Sequence, residues 1–241
     1  MFPNLPLDFI KAIKNAAKVS INDVLFTCLS QAIRDYLEEQ QCPVVKERGA
    51  NLLCRALIAA VLPRRVRNPT SETLQNKWFL LSSDLGVGVS PQKNDILERL
   101  HYLHQHLGSL KTSPVPLVGL TIQNTLAPWM RRSVNEYIFW NAMCRRSVSI
   151  SNVPGPGKTC VFAGQPGVAV NMFLSNALPH VAFISYAGQI FGNITLDPES
   201  IPNCQSLSRH LKKAVVTLAE RLDIPVPADL QRDHPGATSA Q

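Results

Sequence analysis

The stretch 147–157, SVSISNVPGPG, joins a strand-like segment to a rigid corner and decides how the second half of the chain is interpreted. Hydroxyl and β-branched residues alternate at its start, which is typical of a strand. Val153 precedes a proline and is therefore restricted to extended geometry, while Gly155 and Gly157 allow backbone angles that other residues avoid. The pattern predicts a strand that ends at Ser151 and Asn152 and is followed by a tight turn.

Two interpretations of this corner remain open. Polar side chains at a strand end often meet a ligand in α/β proteins. The alternative is a surface turn in which Asn152 bonds only to its own backbone. The local pattern by itself favours the surface turn.

The apolar spacing elsewhere predicts both helices and strands. Ser20 and Asp23 have the spacing of a capping box, so a helix is expected from there to about Gln40. The other predicted helices are 5–17, 91–111, 116–143 with a break near Pro128, and 204–223. The predicted strands are 54–62, 77–85, 147–151, 159–163, 167–174, 180–187 and 189–195, with Gly188 in the last turn.

Helices come first in this order and antiparallel strands later, which predicts an α+β fold, a mixed α/β sandwich. Its sheet should be largely antiparallel or mixed, with helices packed on one face. We expect one domain over residues 1–224. The tail 225–241 is rich in small and polar residues and is predicted to be disordered.

Several segments, taken in order, resemble the C-terminal domain of the wax ester synthase/diacylglycerol acyltransferase family, part of the coenzyme A-dependent acyltransferase superfamily. Ser-Asn-Val-Pro-Gly-Pro at 151–156 is one of them, and an Asn-Asp-Val motif opens the predicted helix at Asn22. The remaining similar segments are 60–65, 76–79, 91–111, 185–188, 191–192, Asp197 and 201–202. The resemblance spans roughly residues 7–223 and implies one lobe of a two-lobed enzyme.

The resemblance implies an acyl transfer from acyl-CoA to a long-chain alcohol or diacylglycerol, as in triacylglycerol and wax ester synthesis. Acyl-CoA is then a co-substrate and no cofactor is expected. The family's general base lies in a His-His-x-x-x-Asp-Gly motif, which this sequence does not contain. The chain therefore resembles the second half of such an enzyme, either as a fragment or as a separate lobe, and we expect it to be inactive alone. A non-catalytic module that binds lipid or a partner is the alternative.

No catalytic residue is assigned to this chain. The resemblance and the strand-end argument together give a set of substrate-binding or oxyanion-binding candidates. These candidates are Asn22, Asp23, Ser149, Ser151 and Asn152. Asn22 and Asp23 also have a purely structural explanation, because such residues satisfy free amides at a helix N-terminus.

Other classes of function are disfavoured by composition. The chain has 45% hydrophobic and 17% charged residues, so disorder is not expected. Its net charge of +7 suits acidic partners, but the basic residues are scattered in pairs, which argues against nucleic acid. Gly155–Thr159 lacks the first glycine of a phosphate loop. His101, His104 and His106 share a predicted helix without ligands at zinc spacing, so no metal is expected and a solvated face is predicted.

Residues 117–143 contain Trp129, Phe139 and Trp140, and arginine pairs lie nearby at 131–132 and 145–146. This segment has the composition of a peripheral membrane contact, although apolar residues at helical spacing more often form a core or a lobe interface. No signal peptide and no run long enough to span a membrane is seen. Membrane contact would place the enzyme peripherally on the cytoplasmic side of the endoplasmic reticulum or a lipid droplet.

Overall fold

The computed structural model describes residues 1–61, 78–88, 95–174 and 177–231. The helices are α1 (Leu7–Ala17), α2 (Ile21–Glu39), α3 (Pro43–Arg48), α4 (Ile96–Thr112), α5 (Val115–Thr121), α6 (Arg132–Cys144), α7 (Ser206–Glu220) and α8 (Ala228–Gln231). The strands are β1 (Leu5–Pro6), β2 (Arg55–Val61), β3 (Trp78–Asp84), β4 (Val148–Pro154), β5 (Val161–Phe162), β6 (Gln165–Pro166), β7 (His180–Tyr186) and β8 (Gln189–Thr195).

Six of these strands form one mixed sheet in the order β1-β8-β7-β4-β2-β3. β4 lies in the middle and is parallel to both β7 and β2, whereas the other neighbouring pairs are antiparallel. The predicted mixed α/β fold is confirmed. The hairpin between β7 and β8 turns at Ala187 and Gly188, which both have positive φ, as predicted for Gly188.

Helices α1, α2, α4 and α7 cover one face of this sheet. Residues from all four helices join one apolar core with alternate residues of the central strands, such as Ala56, Ile150 and Val181. The helix packing confirms that the main helical layer lies on one face. The end of α6 approaches the other face, because Arg146 Nε donates to Ser82 Oγ.

The start of α2 is fixed by a reciprocal cap. Ser20 Oγ accepts a hydrogen bond from Asp23 N at 3.2 Å, and Asp23 Oδ2 accepts one from Ser20 N at 2.9 Å. This capping box confirms the start of the helix predicted from the sequence. It also fixes the position of Asn22, which lies between its two members.

Several predicted elements differ from those observed. β4 continues to Pro154 and so ends three residues later than the predicted strand. Residues 167–174 form no strand, and the segment before them forms only the short β5–β6 hairpin. The predicted helix start at Ser90 and Pro91, and the motif residues 62–65 and 76–77, lie outside the described residues.

The packed part of the chain extends beyond residue 224. Residues 225–231, which were assigned to a disordered tail, include α8, and Leu230 is buried in the main core. A side chain that reaches the core orders its segment, which composition alone does not reveal. Residues 232–241 lie outside the described residues.

Candidate functional site

Two asparagines join the start of α2 to the central strand β4. Asn152 Nδ2 donates a hydrogen bond to Asn22 Oδ1 over 2.5 Å, and both residues are half-buried. Asn152 therefore contacts the helix that begins near Asn22, as expected, while the cleft expected beside this pair stays a prediction. Asn152 is thus bonded across the helix–sheet boundary, and the surface-turn interpretation is wrong for this side chain.

The predicted reason for the position of Asn152 is only partly correct. The pairing of β4 with β7 runs on to Pro154, opposite Ser185, so the strand does not end before Val153. On the other edge, the register with β2 ends at Ile150. A proline inside a strand removes a donor on one edge only, which is why β4 continues beside β7.

Gly155 directly follows β4, at a point where the chain passes very close to β7. A Cβ at position 155 would lie 2.2 Å from the Ser185 carbonyl oxygen, whereas Gly157 has nothing within 4 Å. Gly155 is therefore required by close approach and not by a positive φ. The corner holds the end of β4 against β7 and so fixes the strand that carries Asn152.

Ser149 and Ser151 do not share a site with Asn152. Successive side chains of a strand point to opposite faces, and Asn152 lies on the helix-covered face. Ser149 lies on the other face, where its Oγ is 3.2 Å from His180 Nδ1. Both are buried, and burial lowers the pKa of His180 below its ordinary value. The structure thus places Asn152 with Asn22 and Asp23 on one face of the sheet and the two serines on the other.

Asp23 makes a contact that the sequence did not reveal. Its side chain is buried, and Oδ2 lies 2.9 Å from Nδ1 of His104 on α4. Its other oxygen, Oδ1, is buried without a hydrogen-bond partner in the described part of the chain. The carboxylate therefore serves both the cap of α2 and the contact with α4. His104 itself is exposed, as the predicted solvated helix face requires, but its contact with Asp23 was not predicted.

The start of α2 thus presents an amide pair beside a buried carboxylate. A helix N-terminus favours nearby negative charge, and Asp23 already occupies that position. An incoming anion would meet this carboxylate as well as the helix end. One donor of this pair is Asn152 Nδ2, which has two hydrogens and uses one of them for Asn22.

The three histidines of α4 point to different partners. His101 contacts Gln105, His104 contacts Asp23, and His106 stacks on Tyr102. Among the described residues, no group of three or more His, Cys, Asp or Glu side chains is arranged to hold a metal ion.

The segment from α5 to α6 exposes many large apolar side chains. Trp129 is 90% exposed, and Phe139 and Trp140 are about half exposed, as predicted. Met143 is the buried residue of α6 among those described. We call the exposed side chains of residues 115–144 the α5–α6 surface. No helix in the described ranges is long and apolar enough to cross a membrane.

A family model described as the WS/DGAT C-terminal domain, where WS/DGAT stands for wax ester synthase/diacylglycerol acyltransferase, matches residues 75–219. The chain belongs to this family. The resemblance inferred from the sequence is therefore confirmed.

Curated relatives agree with this assignment. Wax ester synthase/diacylglycerol acyltransferase 9 of Arabidopsis thaliana is 24% identical over 89% of this chain and 49% of the relative. The O-acyltransferase WSD of Acinetobacter baylyi is 23% identical over 87% of this chain and 43% of the relative. The chain spans about half the length of the curated relatives it matches.

Solved structures show the same fold. The wax ester synthase/diacylglycerol acyltransferase of Marinobacter aquaeolei VT8 matches with a TM-score of 0.61 and 21% identity, over 92% of this chain and 48% of that one. The epimerization domain of tyrocidine synthetase B matches with a TM-score of 0.56 and 13% identity, over 91% and 47%. At these identities the likeness concerns the fold alone.

Proposed function

We propose that this chain is the C-terminal lobe of an O-acyltransferase that moves an acyl group from acyl-CoA to a long-chain alcohol or diacylglycerol. The family assignment supports the reaction class. The observation that carries the proposal is the Asn22–Asn152 hydrogen bond, because it holds an amide donor at the junction of a helix start and the central strand. The general base has to come from a half that contains the His-His-x-x-x-Asp-Gly motif.

The reaction needs a base and an oxyanion donor. A histidine of the other half removes the proton of the alcohol, whose oxygen attacks the thioester carbonyl. A tetrahedral oxyanion forms, the carbon–sulfur bond breaks, and coenzyme A leaves as a thiolate that takes up the proton. A donor fixed in advance stabilises the oxyanion more than mobile water does.

Asn152 is our candidate for this donor. Its bond to Asn22 fixes the amide plane, and the second Nδ2 hydrogen has no partner in the described part of the chain. Asn22 and Asp23 act as positioning residues in this proposal, because they hold the amide and the start of α2. We assign no catalytic role to Ser149 or Ser151, which lie on the other face of the sheet.

The α5–α6 surface supports two further proposals. A lobe of a two-lobed enzyme should expose an apolar face that its partner covers, and Trp129 and Trp140 provide one. The same face, with arginines near both ends of α6, suits peripheral contact with an anionic membrane. A non-catalytic lipid-binding or partner-binding module would use this surface alone, without the Asn22–Asn152 pair.

The test is to co-express the chain with the first half of the Acinetobacter baylyi relative and to measure acyl transfer from acyl-CoA to hexadecanol or diacylglycerol. The chain alone should be inactive, since loss of a general base lowers rates by about a hundredfold to ten-thousandfold. In the active pair, Asn152→Ala should lower kcat by about a hundredfold, the scale for one oxyanion donor.

Asn15→Ala is the matched control, because it removes an exposed amide side chain from helix α1. It should leave kcat unchanged. An active pair in which Asn152→Ala and Asn15→Ala behave alike would refute the role of Asn152. Absence of turnover together with saturable lipid binding by the chain would favour the non-catalytic module.

A further inference from the structure

A second polar site lies between the end of α6 and the β2–β3 edge of the sheet. A cavity of about 390 Å³ opens there. It is on the sheet face opposite the Asn22–Asn152 pair, because Ser82 and Arg55 alternate with the core-facing residues of their strands. The side chains that line it include Arg55, Ser82, Ile138, Asn141, Arg145 and Arg146.

Three arginines surround this cavity. Arg146 is held in place, because its Nε donates to Ser82 Oγ at 3.2 Å and its Nη1 donates to the Ala142 carbonyl at 2.6 Å. Arg55 and Arg145 are exposed and form no ion pair with a carboxylate in the described ranges. Five N–H donors per guanidinium leave most of the donors around the cavity free for a ligand.

The charges of this cluster are not balanced locally. Burial lowers the pKa of Arg146, and the neighbouring Arg55 and Arg145 lower it further. Like charges that lie close together raise the free energy of the site when no ligand is bound. A bound anion would lower that free energy. Arg146 also caps the end of α6, which is a structural role, but Arg55 and Arg145 have no such bond among the described residues.

We propose that this cavity binds a phosphate or pyrophosphate group. Guanidinium groups pair with phosphate through two parallel hydrogen bonds, which suits three arginines around one cavity. The Asn141 amide adds a neutral donor. Ile138 lines the same cavity and continues into the α5–α6 surface, so the ligand is expected to have an apolar part beside its phosphate.

Two sources share this chemistry, a phospholipid headgroup and the phosphates of coenzyme A. The site does not depend on the proposed acyl transfer, since binding can be measured without turnover. Its failure is therefore distinguishable from failure of the Asn152 proposal.

The experiment measures binding of pyrophosphate, of coenzyme A, and of phosphatidylcholine vesicles with and without phosphatidic acid. The test variant is Arg55→Gln/Arg145→Gln, which keeps Arg146 and its cap of α6. The matched control is Arg131→Gln/Arg132→Gln, which removes the same charge from the exposed start of α6. Circular dichroism and thermal melting verify that both variants fold, and Arg145→Gln alone serves if the double variant does not.

We expect saturable binding that falls at least tenfold in the test variant and less than twofold in the control. Binding of pyrophosphate and coenzyme A identifies a soluble phosphate compound, and binding of phosphatidic acid vesicles alone identifies a lipid headgroup. Equal losses in the two variants would show only diffuse attraction to a basic surface and would overturn the proposal. Absence of binding to every probe would overturn it as well.

Discussion

Helices α2 and α6 have similar apolar content but opposite surroundings. Leu29, in the middle of α2, is 1% exposed, while Trp140, in the middle of α6, is 53% exposed. Both helices are rich in large apolar side chains. However, α2 packs in the core against α1, α4 and α7, whereas α6 approaches the sheet mainly through its C-terminal end. An apolar pattern therefore predicts a helix well, but it does not say whether the covering partner belongs to the same chain.

The largest expected effect tests this contrast directly. Leu29→Ala should lower the free energy of unfolding by about 2–5 kcal/mol, because it leaves a cavity in the core. Trp140→Ala should change it by less than about 0.5 kcal/mol, as for other exposed sites. Urea unfolding followed by circular dichroism measures both. A cost above 2 kcal/mol for Trp140→Ala would mean that the α5–α6 surface is covered in solution.

The turn after β4 also contains one closely packed position, Gly155, and one open position, Gly157. Gly155→Ala should destabilise the chain by about 1–3 kcal/mol, since the added methyl group meets the Ser185 carbonyl and forces the backbone to shift. Gly157→Ala is the control and should be nearly neutral, because its surroundings are open. Thermal melting of the two variants compares them, and equal melting temperatures would show that β4 and β7 are not in this close contact.

A smaller effect, on the pH dependence of stability, is expected from the contact between α2 and α7. Hydrogen bonds from His210 and the nearby Arg209 lower the pKa of Glu39 from 4.5 to about 2. A carboxylate with a lowered pKa stabilises the fold above its unfolded pKa, and this contribution is lost as the pH falls. The melting temperature should therefore decline between pH 4.5 and 2.

Glu39→Gln should flatten that decline. Glu136→Gln, which breaks an exposed ion pair within α6, should leave more of it intact. Melting curves collected across the pH range compare the two variants. A profile for Glu39→Gln that matches the unsubstituted chain would place the acid sensitivity elsewhere.

The sequence predicted the elements best where a local signal was present. Ser20 and Asp23 marked the start of α2 through capping chemistry, and Gly188 marked a hairpin through its backbone freedom. The strand end at Asn152 was misplaced, because a proline stops pairing on one edge only and the sequence does not say which edge faces β7. β1 and α3 were missed because both are too short to show a clear period.

The candidate site was predicted in part. Asn22 and Asn152 meet as expected, but the serines beside Asn152 point to the other face, which follows from the alternation of any strand. His104 was missed because its partner Asp23 is 81 residues away in the chain. The burial of Arg99 was missed as well. Its side chain is fully buried and bonds to Ser30 and Gln31 of α2, whereas arginine is mostly exposed in folded proteins.

The sequence by itself determined the family, the order of helices and strands, and the cap that starts α2, because these depend on neighbouring residues and ordered motifs. The tertiary structure alone decided which side chains meet across the fold. It paired Asn152 with Asn22 and Asp23 with His104, and it brought Arg55 next to Arg145 and Arg146. Such contacts depend on strand register and on which helices pack together, and those are set by the burial of the whole core and not by any local pattern.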